Sequence, residues 1–151
     1  MDKYFLKARL QKNCHPDRSQ NKNNNRMNTP NNKWIKDWII NENPSKEKKL
    51  GEGLIQIFIM FWQHANLSSK SKTTQNRYIG ALHCLGGYLI EKGIYENVDF
   101  SLYDLLTEYL NKYDGPLIHY DNEIWQNELD MVCRKLYKYL KNENKISFTD
   151  G

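Results

Sequence analysis

Lys70, Lys72, Thr73, Thr74 and Arg77 place three cations and two hydroxyls at or just before the start of a helical pattern. A helix N-terminus offers free amides and a positive dipole end, and Lys, Arg and Thr side chains commonly hold phosphate oxygens. The chemistry this cluster suits is phosphate contact, not bond-making. Arg134, Lys135, Lys138 and Lys141 form a second basic set on a late helical pattern, where positions 134, 138 and 141 share one face. Two such patches would straddle a duplex. The plainer alternative is that cations in the C-terminal half of a helix complement its dipole and keep the surface solvated.

Metal chemistry has weaker support. Cys14-His15 and His83-Cys84 are adjacent pairs, with His64 nearby, and neither pair has the two-to-four-residue gap that converges ligands on a tetrahedral ion. Neighbouring helical side chains diverge by about 100°. No metal and no cofactor are expected. Cys84 and Cys133 read as small apolar core residues, and the histidines as surface or partly buried aromatics. His15-Pro16-Asp17 resembles the signature loop of J-domain cochaperones, but too few residues precede it for that family's helix and an Asn-rich stretch follows, so it reads as coincidence. There is no Gly-rich phosphate loop, no nucleophile elbow and no pair of carboxylates in apolar surroundings, so catalysis is not expected.

The elements that must position these residues follow from apolar spacing. Phe5, Leu6 and Leu10 fit a short helix over 3–12, and the Asn-, Ser- and Lys-rich stretch from Asn13 to Asn32 reads as a flexible basic tail. Trp34, Ile35, Trp38 and Ile39 predict a short helix over Asn32–Ile40, stopped before Asn43-Pro44. Leu54 to Trp62 predicts a strongly apolar helix ending near Asn66 and central to the core. The next helix is expected to start at Thr73 or Thr74, capped by a hydroxyl, and to stop at Gly93. Its internal Gly80, Gly86 and Gly87 suggest close approach of another helix. Ser101 opens an acidic segment through Leu110. Asp121 or Asn122 caps a last helix through Leu140, beyond which 145–151 should fray. No stretch sustains the alternation a sheet needs.

Composition agrees with one all-α domain over 33–144. Apolar residues make up 39% and charged residues 26% of 151 positions, enough to bury a core. The net charge is +4 and unevenly spread: residues 1–50 hold twelve Lys or Arg against five acids, whereas 99–130 hold eight acids and one Lys. A basic end suits a polyanion, although an Asn-, Lys- and Ile-rich sequence also follows from nucleotide bias in coding DNA. Three widely spaced cysteines argue against a disulfide framework and for free thiols in a reducing cytoplasm. No apolar run is long enough to span a bilayer, and no signal-peptide core is seen.

Leu67-Ser68 before the helix, then Thr74, Tyr78 and Leu82 at four-residue steps, Gly86, Tyr88-Leu89 and Glu91-Lys92-Gly93, together with the closing stretch Val132 to Leu140, resemble the core-binding N-terminal domain of phage-type tyrosine recombinases. The resemblance spans Leu50 to Asn144. It implies a SAM-like bundle of four main helices and non-catalytic clamping of duplex DNA, with Lys72, Thr73, Arg77 and Lys135 or Lys138 as contacts. That family's catalytic Arg, His and Tyr residues have no counterpart in these 151 positions, so strand exchange by this chain is not implied. The competing expectation is a protein-interaction or self-associating module anchored on Trp34 and Trp38, since exposed aromatics on a helix are characteristic binding anchors.

Overall fold

The computed structural model describes residues 29–96 and 99–143. The expected helix at 3–12, the His15-Pro16-Asp17 tripeptide and the fraying end 145–151 lie outside them, as does most of the expected tail. Among the described residues the fold is helical, with no strand, as expected.

Asn31 caps the start: its side chain accepts from Lys33 N at 2.9 Å. A 3-10 turn, Asn32–Trp34, runs into α1, Ile35–Trp38. The chain then turns at Asn41, which sits at φ 64°, a left-handed conformation that Asn tolerates better than most residues. Helix α2 spans Pro44–His64 and begins ten residues before the expected Leu54. Its polar opening turns are set by local chemistry. Asn43 accepts from Lys46 N, Pro44 stands in the first turn, where no amide is needed, and the Glu47 carboxylate reaches back to Asn43 N at 2.7 Å.

After a 3-10 turn at Leu67–Ser69, helix α3 runs Lys72–Tyr95. The cap is Ser71, whose hydroxyl accepts from Thr74 N at 3.2 Å, so Thr73 and Thr74 lie inside the first turn instead of capping it. Gly93 does not end the helix; its missing side chain admits Leu105 and Leu50. Helix α4, Leu102–Tyr109, starts in a capping box between Ser101 and Asp104, and those hydrogen bonds hold the Asp104 carboxyl below its usual range. Helix α5, Glu123–Asn142, is capped by Asn122.

The helix at the centre is α3, not α2. Every residue from Gly80 to Gly87 is buried, because α5, α2, α4 and α1 all pack around it. The apolar stripe of α2, including Leu54, Ile55, Phe58, Phe61 and Trp62, is buried too, at about 1.5–3 kcal/mol for each large side chain. One cysteine and two histidines depart from expectation. Burial pushes the Cys133 thiol well up, and Cys133 is free, but Cys84 is disulfide-bonded. Cysteine usage therefore no longer argues for a reducing compartment. His83 and His119 are buried, only 5% and 4% exposed: His83 lies in the enclosed stretch of α3, and His119 reaches inward from a largely exposed loop to within 3.7 Å of Cys84. No helix among the described residues is long and apolar enough to cross a membrane.

Candidate nucleic-acid interface

Ser71 fixes the α3 N-terminus and thereby the first basic set. Lys70 precedes the cap and is exposed; its carbonyl accepts from Gln75 Nε2 at 2.9 Å, which locks the approach to the helix. Lys72 and Thr73 are exposed in the first turn and Thr74 is half-buried, its amide already held by Ser71 and its hydroxyl 3.1 Å from that of Ser71. Arg77, one turn on, lies 3.6 Å from Glu128 of α5. The Arg77 side of that pair is half exposed, so it orients Arg77 more than it stabilises the fold.

The second set divides. Lys135 places its ammonium 5.8 Å from the centre of the Tyr78 ring, on α3 one residue past Arg77. Tyr139, further along α5, stacks near Phe61 and His64 at the end of α2. The C-terminal half of α5 therefore lies beside the N-terminal end of α3, and Lys135 joins the first set. Lys138 is exposed three residues later on α5. Lys141 lies 5.9 Å from the Tyr137 ring centre. Arg134 turns away instead: its Nη1 donates to the Tyr113 carbonyl at 3.0 Å, which pins the 111–121 loop. The shared face of Arg134, Lys138 and Lys141 is thus divided in use, although all three remain exposed.

Trp34 and Trp38 do not serve as exposed anchors. They are 8% and 3% exposed, and both rings pack against His83. Trp38 Nε1 donates to the His83 carbonyl at 2.9 Å, and His83 Nε2 lies 3.0 Å from Asp37 Oδ2. His83 Nδ1 is buried and has no hydrogen-bond partner, so Nε2 makes the ring's polar contact. The aromatic signal of this segment is core packing that fastens α1 to α3.

The loop before α5 is fastened as tightly. Gln126 Oε1 accepts from Ile118 N and His119 N, at 3.1 and 2.9 Å, while its amide donates to the Pro116 carbonyl and to Asp130. Burial lowers the His119 pKa below 6.5, with Asp121 opposing. A depressed histidine stabilises the fold fully above its unfolded pKa and loses that contribution as pH falls through the folded value. The His119 ring protons should therefore titrate by NMR with a midpoint below 6.5; a midpoint at or above it would show that the ring is not desolvated.

A shallow groove between α2, α4 and α5, walled by Gln56, Ile57, Met60, Leu102, Tyr103 and Tyr139, gathers no acids, histidines or cations. Among the described residues no group of three or more His, Cys, Asp or Glu is placed to hold a metal ion. Compared with protein families, with curated proteins and with solved structures, the chain has no match.

Proposed function

We propose that the bundle is a non-catalytic duplex-DNA-binding module, of the recombinase-accessory kind, that grips phosphates with the α3 N-terminus and the neighbouring face of α5. The observation that carries this reading is Lys135 set against Tyr78, which brings the α5 cations to the end of α3 where Lys70, Lys72 and Thr73 are exposed. Charges from two helices on one end of a bundle suit a backbone of regularly spaced anions better than a single ion. The basic residues of the N-terminal region add to the attraction.

Binding to a short duplex, followed by fluorescence anisotropy, should weaken steeply with salt, the logarithmic slope reporting about 0.9 per phosphate neutralised. Lys72→Glu with Lys138→Glu should lower affinity at least about tenfold and flatten the slope by about 2. Lys48→Glu with Lys49→Glu makes the same charge change in the exposed opening turns of α2, at the opposite end of the bundle, and should cost much less. Absence of duplex binding at low salt, or equal losses from both double variants, would overturn the reading.

A further inference from the structure

Three large exposed apolar side chains lie near one another in the chain where α5 begins: Leu117, 57% exposed, and Tyr120, 56%, on the preceding loop, and Ile124, 71%, in the first turn of the helix. The adjacent Ile118 and His119 are buried, and Gln126 clips the loop to the helix, so these three are held outward by a fixed backbone. Contiguous exposed apolar side chains mark interaction surfaces. The surrounding charge is acidic: Asp114, Asp121 and Glu123 lie in the same stretch, within a region of eight acids and one Lys over 99–130.

We propose that this surface is the dock for the chain's own N-terminal segment, residues 3–12. That segment has the complementary chemistry. Phe5, Leu6 and Leu10 supply apolar groups at helical spacing, and Lys3, Lys7, Arg9 and Lys12 supply charge, within a stretch of seven cations and two acids over 1–28. It also emerges on the right side of the bundle. The described chain begins at Thr29, and Trp34, five residues on, packs on His83; the next residue, Cys84, lies 3.7 Å from His119 in the loop. The inference is independent of DNA binding and is tested without nucleic acid.

Hydrogen exchange on the full chain tests it. Amides of residues 4–10 and 117–124 should both be protected, and either Leu6→Asp or Ile124→Lys should raise exchange in both stretches at least about fivefold, leaving α3 unchanged. Ile124 is largely exposed, so its replacement does not threaten folding. Protection of both stretches that is independent of protein concentration supports docking within one chain. An unprotected N-terminal segment in the wild type, variants whose effects stay on their own side, or protection that grows with concentration alongside a dimer in sedimentation, would each overturn it, the last in favour of a second copy.

Discussion

Glu47→Ala is expected to lower the unfolding free energy by about 3–5 kcal/mol, a large share of the 5–15 kcal/mol typical of a whole domain. The carboxylate is fully buried and accepts three backbone amides, those of Ile40, Asn41 and Asn43. Alanine removes all three acceptors while the turn between α1 and α2 stays enclosed, and each orphaned buried amide costs about 1–3 kcal/mol, less when the turn can open to water. Glu47→Gln keeps one carbonyl oxygen of similar reach and should lose roughly half as much. Urea unfolding would resolve both, with midpoints shifted and slopes preserved. A loss below about 1 kcal/mol for the alanine variant would mean that water replaces the carboxylate at no cost.

Glu47 also shows where the sequence was readable and where it was passed over. Asn43-Pro44 is correctly read as a stop for the first helical segment, yet the same two residues start the next one, with Asn as cap, Pro in the first turn and an acid reaching back. Apolar periodicity alone places the start of α2 at Leu54. Its first ten residues offer Leu50 as their single large aliphatic side chain, too little for a periodic apolar signal. The Ser68–Thr74 run shows a related ambiguity: five candidate hydroxyls stand in line, and only the backbone geometry selects Ser71. Four of the five helices, by contrast, were legible from three- and four-residue spacing alone, since each presents one apolar stripe to the core.

The candidate site was legible in composition but not in arrangement. Lysines at 72, 135 and 138 are visible in the sequence, but nothing in it says that Lys135 crosses to Tyr78 while Arg134 bonds the Tyr113 carbonyl, because two adjacent side chains on a helix meet different neighbours. Trp34 and Trp38 misled for a similar reason. A short amphipathic helix looks the same whether its aromatic stripe faces a partner or its own bundle, and here the cavity left by Gly86 accepts it. Buried His83 and His119 carried no local signal, since their partners, Asp37 and the loop clipped by Gln126, depend on long-range packing.

That cavity leads to a substitution whose sign separates propensity from packing. Gly86 lies in the middle of α3, where alanine would ordinarily stabilise a helix by about 1 kcal/mol. A methyl group there would lie 2.2 Å from Cζ2 and 2.5 Å from Cη2 of Trp38. The indole has little room to yield: it is 3% exposed, its Nε1 is bonded to the His83 carbonyl, and Phe58 and Trp34 abut it edge-on. Gly86→Ala should therefore destabilise the domain by about 2–3 kcal/mol despite its better propensity. Trp38→Leu alone should cost about 3 kcal/mol through the space it vacates. In that background Gly86→Ala meets no ring and should be neutral or stabilising, giving a coupling of about 2 kcal/mol between the two positions. Stabilisation by Gly86→Ala alone, or simple additivity in the double variant, would mean that α1 does not pack on α3 through Trp38, and the burial of both tryptophans would have to be given up with it.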